Sequence, residues 1–473
     1  MKEKGYWFED EECTARLIYI NGRYSPSLSK TTDSITNLQS SDFLESSNNT
    51  PLREEILTCL EHLPDGFTDE LPTEEGQEDL VEVAGSNQLS KLSGPNHSVG
   101  NATSQFAINN QQGTAIFAAL NTVKAQNVAL VDMPEDVECD LPILVVNAWT
   151  NDGGVISSDS DQIEKGVAIH PRLLVLGGKR SKLSVIQGTI DLEEESDSSR
   201  PKFYNGYTQL YLRENCELTH SYLEESGGYP TPNVEIRNND CTESPTPQEK
   251  EASRSALQNT HFDMMDVHLT GVNATYQHTC LGIGGNGRSR ISMCTSMYQK
   301  GCNINLNGFS LSGGAQRSDI RTTIHHIGPN TKSKQIQKNM VGGRATNLFK
   351  GRIRIEEKAI GADSQQLSRT ILLSDASKVW AIPSLEIVPA EIKCSHGATV
   401  SDLSDEELFY LRSRGFDRIE ARKLLMYGFL QEVTTKIDRS ILKDGMLAQR
   451  LGRRLQGLIP VGDRAVKSQY QSV

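Results

Sequence analysis

From about residue 106 the apolar positions come in short bursts separated by Gly, Asn, Asp and Pro. Val128-Ala-Leu-Val131, Leu173-Leu-Val-Leu176, Leu183-Ser-Val-Ile186 and Thr208-Gln-Leu-Tyr-Leu212 come first. Met265-Asp-Val-His-Leu269, Ile304-Asn-Leu306, Ile320-Arg-Thr-Thr-Ile324, Arg352-Ile-Arg-Ile355 and Leu385-Glu-Ile387 continue the series. Such runs between turn residues predict strands. Between about 262 and 394 no helix-length apolar period interrupts them. Asn303, Asn305 and Asn307 alternate with Ile304 and Leu306, so one face of that strand is polar and the other apolar. A long all-β chain must deal with its sheet edges by closure, sandwiching or winding. The even spacing and the Gly-rich turns, such as Gly342-Gly343, favour a parallel β-helix, with a β-sandwich as the competitor. No strict hexapeptide or nonapeptide period is present.

The flanks read differently. Residues 1–104 are expected to be acidic and largely disordered, because Ser25–Ser34, Ser46–Thr50 and an acidic run from Glu61 to Glu82 offer little apolar surface to bury. A short helix is expected near Pro51–Leu60. The core spans 105–400, with polar insertions at 151–165, 193–200 and 224–259. A helical domain is expected over 401–460, followed by a tail at 461–473. Ser404 with Glu407, and Asp417 with Glu420, have capping-box spacing, and Gly415 suits the end of the first helix. Ala421, Leu424, Leu425, Gly428, Phe429 and Val433 recur at helical spacing in the second. A third, basic helix is expected over Ile441–Leu458.

Composition narrows the function. The 473 residues are 23% charged and only 6% aromatic, which suits a fold of small and β-branched residues. A net charge of −13 disfavours nucleic acid as a partner. The most apolar stretch, Leu141–Trp149, is far too short to span a bilayer, so no membrane role is expected. The acidic N-terminus lacks the features of a signal or transit peptide. Nine cysteines without any C-x-x-C point to free thiols in a reducing compartment.

Few motifs carry chemistry. Gly282-x-Gly284-Gly-x-Gly287 has the letters of a dinucleotide fingerprint but opens no helix, so it reads as a turn. There is no Walker A motif, G-x-S-x-G or H-E-x-x-H. His326 shares a strand face with Ile320 and Ile324 and is expected to be buried and hydrogen-bonded. His325 falls on the opposite, polar face with Asp319 and Arg321. Cys394 and His396 are the best candidates for metal ligands. They lie two residues apart, on one face if extended, just before the helical hairpin. Two ligands do not make a site, and further ones would have to come from elsewhere in the fold or from a second chain. A buried thiol and a surface imidazole remain the simpler reading of the spacing alone.

Lys393-Cys-Ser-His-Gly-Ala-Thr-Val400 and Glu406-Glu-Leu-Phe-Tyr-Leu-Arg-Ser-Arg-Gly415 resemble blocks of the SufB/SufD family of the Suf iron–sulfur assembly system, and the SufD branch in particular. His170-Pro-Arg-Leu-Leu-Val-Leu176 and Thr208-Gln-Leu-Tyr-Leu-Arg-Glu-Asn215 resemble it more loosely. The SufB branch carries a functional Cys shortly before this junction, whereas here none lies between Cys302 and Cys394. The resemblance implies a right-handed parallel β-helix core with a C-terminal helical domain. It implies a non-catalytic scaffold that pairs with a SufB-like subunit, engages a SufC-like ATPase and passes clusters to apo iron–sulfur proteins. His396, with its neighbour Cys394, would lie at the SufB interface as a ligand of a transient Fe–S cluster. Phe409, Leu411, Arg414, Leu424, Tyr427 and Phe429 on the helices would meet SufC. No cofactor is expected to be held stably, and ATP would sit on SufC only. The family's helical N-terminal segment with its Trp-x-Tyr-Thr-like motif is missing. That departure and the long insertions suggest a plastid-type eukaryotic member, with the cytoplasm as the other compartment. Two alternatives stay open: a SufB-type scaffold, and a β-helix enzyme acting on polysaccharide.

Overall fold

The computed structural model describes residues 11–39, 114–150, 167–192, 202–225, 259–285 and 287–436. Strands β1 (Ala15–Ile20), β2 (Arg23–Tyr24) and β3 (Ile35–Gln39) come first, then helix α1 (Thr114–Lys124). β4 (Asn127–Met133), β5 (Ile143–Trp149), β6 (Val167–Ile169), β7 (Arg172–Gly177), β8 (Lys182–Asp191), β9 (Lys202–Leu212) and β10 (Glu217–Glu225) follow. A regular run comprises β11 (Thr260–Leu269), β12 (Thr275–Gly282), β13 (Arg288–Met297), β14 (Asn303–Ser312), β15 (Arg317–His326) and β16 (Lys332–Val341). It continues through β17 (Thr346–Ile355), β18 (Asp363–Leu372), β19 (Lys378–Ile387) and β20 (Lys393–Ser401) to helices α2 (Asp405–Ser413) and α3 (Arg418–Thr434).

From β7 to β20 successive strands alternate between two facing sheets, so the chain winds as a parallel β-solenoid. One sheet runs β2-β1-β5-β8-β10-β12-β14-β16-β18-β20, and the other β3-β4-β7-β9-β11-β13-β15-β17-β19. Arg288, Arg317 and Thr346 stand in register, 29 residues apart. The repeat is therefore a full turn of two strands, too long and too variable in its residues to show as a short sequence period. Each turn buries its inward apolar side chains against those above and below. Leu210, Met265, Met293, Ile324 and Ile353 belong to one continuous core of this kind.

The interior is not wholly apolar. His220 Nδ1 and His278 Nδ1 each lie 3.0 Å from Tyr276 Oη, and His220 Nε2 lies 3.2 Å from Gln187 Oε1. Tyr222 donates to Asp263 Oδ2 at 2.6 Å and lies 2.8 Å from His261 Nε2. Burial depresses His220 and His261 to about 3 and raises Asp263 to about 7. His326 is buried as expected, bonded to Thr331 and Ser333 at 2.8 and 2.9 Å, and burial depresses it likewise. His325 faces the opposite side, as expected, and is buried there against Glu356 at 2.8 Å.

Three expectations change. Residues 15–39, assigned to a largely disordered N-terminal region, supply β1, β2 and β3. Ala15-Arg-Leu-Ile-Tyr-Ile20 pairs in parallel with β5, and β3 pairs antiparallel with β4. Sheet partners distant in sequence stabilise segments whose own composition is weak. Helix α1 is new, and it lies across β9 and β11. The Phe117 ring centroid is 4.3 Å from that of Phe262, and Asn121 donates to the carbonyls of Pro171 and Asn205 at 2.8 and 2.7 Å. Glu224 and Glu225, placed at the start of an insertion, instead end β10. The rest of the three insertions, the helices expected near 51–60 and 441–458, and the tail lie outside the described residues.

Gly282 ends β12 and Arg288 opens β13, so the Gly-rich run is a connection between strands. Gly284 lies against the Glu224 carboxylate, to which its N–H donates at 3.0 Å. A Cβ at Gly284 would stand 1.8 Å from Glu224 Oε1, so close approach explains this glycine.

Candidate functional site at the open end of the solenoid

Among the described residues the last turn, β19 and β20, is paired on one side only. Both strands therefore present a row of backbone N–H and C=O groups to the outside. Their burial falls away in step. Trp380 is 50% exposed and Val400 47%, with Ile382, Ile387 and Val388 also exposed. Pro383 is tolerated in β19 because an edge strand need not donate on its free side.

β20 carries Cys394 and His396. They stand in register with Ser364 and Gln366 of β18, whose side chains are buried in the interior. In a parallel ladder, register partners project from the same face. Both candidates therefore lie over the interior of the solenoid, on one face, as their spacing requires. Cys394 is half-buried against the core, while His396 is exposed, with no further turn over it among the described residues. Burial raises the Cys394 thiol, with Ser364 as a hydrogen-bond partner pulling the other way and the Asp363 charge adding to the rise. The protonated thiol is a poor metal ligand until something removes its proton. Among the described residues, no group of three or more His, Cys, Asp and Glu side chains gathers as a metal site. Cys394 and His396 thus stand as two donor side chains at a sheet edge.

The helical hairpin rests on the outer face of the sheet that ends in β20. Leu408, Ala421, Met426, Leu430 and Val433 join Phe309, Leu311, Met340 and Ile371 in a second core. The expected stripe was one residue off in places, since Met426 and Leu430 are buried while Leu424 is half-exposed. Lys338 anchors the contact. Its ammonium donates to the Phe429 carbonyl at 2.8 Å, sits 4.4 Å from the centre of the Phe429 ring and pairs with Glu432. Capping fixes the turn. Ser404 Oγ accepts from Glu407 N at 3.3 Å, Asp417 with Glu420 forms a complete capping box, and Gly415 takes a φ of 95°.

The six helical candidates separate on this scaffold. Phe409, at 75% exposed, Arg414, Leu424 and Tyr427 face outward. Leu411 and Phe429 turn toward the chain's own second core and are not free. Tyr410, Phe416 and Ile419 are exposed beside them, and the Arg414 guanidinium lies 4.9 Å from the Tyr410 ring centre. Sequence reasoning missed these three. A count of helical faces would have found Tyr410, but Phe416 lies in the turn.

A family model described as "SUF system FeS cluster assembly, SufBD core domain" matches residues 159–429, more than half of the chain. The chain belongs to the SufBD family. An iron–sulfur cluster assembly SufBD family protein of Synechocystis is 26% identical over 340 residues, 71% of this chain and 66% of that protein. Iron–sulfur cluster assembly protein SufD of Escherichia coli is 32% identical over 197 residues, 42% of this chain and 46% of its own length. The chloroplastic protein ABCI7 of Arabidopsis thaliana is 26% identical over 389 residues, 80% of this chain and 70% of that one. The chain thus spans less than two thirds of the length of the first two relatives. The SufBD match begins after β5 and ends within α3, so the turns from β6 onward, the open end and most of the hairpin fall within it.

Proposed function

We propose that this SufBD-family chain is a non-catalytic scaffold subunit for assembling iron–sulfur clusters. The observation that carries the reading is the unpaired last turn, with His396 and Cys394 over its mouth. A SufB-like solenoid meets this end, its own edge strand satisfying the free backbone groups of β20 and its side chains completing the ligand shell. The cluster is cargo, held in passing between the two subunits and handed on to apo iron–sulfur proteins. His396 supplies an imidazole nitrogen from this side. Cys394 contributes only if the joint site lowers its pKa, because the thiol alone keeps its proton.

The outward aromatic face of α2 and α3 takes a SufC-like ATPase, the subunit that binds ATP. Movement there is transmitted to the sheet through the Lys338 anchor. The chloroplastic ABCI7 relative favours a plastid stroma as the compartment.

Co-expression with SufB-type and SufC-type subunits tests this. The three are expected to purify together, and His396→Ala is expected to leave the complex intact while cutting cluster yield. A chain that purifies alone with both partners present would overturn the scaffold reading. Full cluster yield from His396→Ala would remove His396 from the site.

A further inference from the structure

The turn beneath His396 contains a relay of side-chain amides with one end left over. Gln335 of β16 donates through Nε2 to Thr322 Oγ1 at 2.8 Å, and Thr322 donates back to Gln335 Oε1 at 3.1 Å. Gln366 of β18 donates through Nε2 to the same Gln335 Oε1 at 2.7 Å. With Nε2 engaged by Gln335, the Gln366 carbonyl oxygen is the free end. That oxygen is buried and finds no hydrogen-bond partner. The other inward polar groups of β18 are mixed. Ser364 Oγ bonds to Ser333 Oγ at 2.7 Å and Thr370 accepts from Asn339 at 3.1 Å, while Ser368 Oγ is unpartnered like Gln366 Oε1.

The amide is also given room. Gly351 of β17 faces it across the interior, and a Cβ there would stand 2.4 Å from Gln366 Nε2. A buried acceptor left unmet costs about 1–3 kcal/mol, so a repeated position that leaves one calls for an explanation. The residue next in register is His396, with its ring exposed, about 4.8 Å along the ladder.

We propose that Gln366 is a positioning residue for His396. Rotation about its side-chain torsions brings one imidazole N–H onto Gln366 Oε1. This fixes the tautomer and turns the lone pair of the other ring nitrogen out of the mouth of the solenoid. Metal-binding imidazoles are characteristically held by an acceptor on their second nitrogen in this way. In the orientation found, the Gln366 amide presents an acceptor, its Nε2 being engaged by Gln335 Oε1. The inference rests on the reading of His396 as a cluster ligand, but it concerns the free chain.

The test uses the full chain with ¹⁵N-labelled histidine and reads the ring nitrogens of His396 by NMR, assigned by loss of the signal in His396→Ala. One dominant tautomer is expected. Gln366→Leu removes the acceptor and is expected to give fast exchange between two tautomers, with the fold intact. Gln366→Glu retains an acceptor and is expected to restore a single ring-nitrogen pattern. In the complex with SufB-type and SufC-type subunits, Gln366→Leu is expected to weaken cluster loading about tenfold. Exchanging tautomers in the unmodified chain, or a His396 spectrum unmoved by Gln366→Leu, would overturn the proposal. A fixed tautomer combined with full cluster yield from His396→Ala would leave the positioning role standing and remove the ligand role.

Discussion

The two ends of this solenoid are built on opposite plans. At the N-terminal end β1 is buried along nearly its whole length, and antiparallel strands lie outside the parallel run: β2, of two residues, on β1, and β3 on β4. Short or antiparallel end strands are how sheets avoid unwanted pairing. At the C-terminal end β20 runs nine residues with only half-buried and exposed positions and no strand beyond it among the described residues. One end contributes to folding and the other is held open. The polar residues worth examining for function are therefore those that stay exposed although they continue an interior row, and His396 is the one so placed with a ligand's chemistry.

Mutations sharpen this contrast, and the largest effect belongs to the closed end. Leu17→Ala in β1 removes a fully buried side chain and is expected to cost about 2–5 kcal/mol in urea unfolding. Val400→Ala, on the exposed strand, should fall within about 0.5 kcal/mol by the same measurement. A large loss from Val400→Ala would mean that the open end is part of the fold's own core.

Acid should act between the two ends, on the interior. His220, His261 and His326 have pKa values depressed from 6.5 to about 3 by burial, so folding favours their neutral forms. Their contribution is fully present above pH 6.5 and is lost as pH falls toward 3. Asp263, raised from 3.8 to about 7, works the other way: its contribution is complete below about 4 and lost as pH rises through 7. Three histidines outweigh one carboxyl, so stability measured by circular dichroism is expected to decline below pH 6.5. Substituting His326 by Gln should flatten that decline.

Smaller effects belong to the hairpin. Phe409→Ala and Leu424→Asp alter exposed positions and are expected to shift stability by less than about 0.5 kcal/mol while weakening capture of a SufC-type subunit. Glu432→Gln removes one partner of Lys338 from a half-exposed position and leaves the Phe429 carbonyl and ring in place. It should cost less than about 1 kcal/mol.

Sequence patterning goes far with this fold where a residue's neighbours are local. Strand runs in the regular turns, the caps at Ser404 and Asp417, and the shared face of Cys394 and His396 all follow from spacing within one element. It fails where pairing is distant. β3 has few apolar residues and exists because β4 lies beside it, and α1 is fixed by Phe203 and Phe262, far along the chain. The site is legible in the same measure. His396 was visible as a residue type in a strand, but the missing partner strand beyond it, and the unmet Gln366 carbonyl beneath it, exist only in three dimensions.

Hydrogen exchange on the full chain, alone and mixed with a SufB-type subunit, tests the open end most directly. The amides of Leu17 to Ile20 are expected to be protected in both conditions. Of the amides of Cys394 to Ser401, those pointing away from β18 are expected to exchange readily alone and to become protected on mixing. Unchanged exchange along β20 in a formed complex would contradict the claim that this edge is where the second subunit joins.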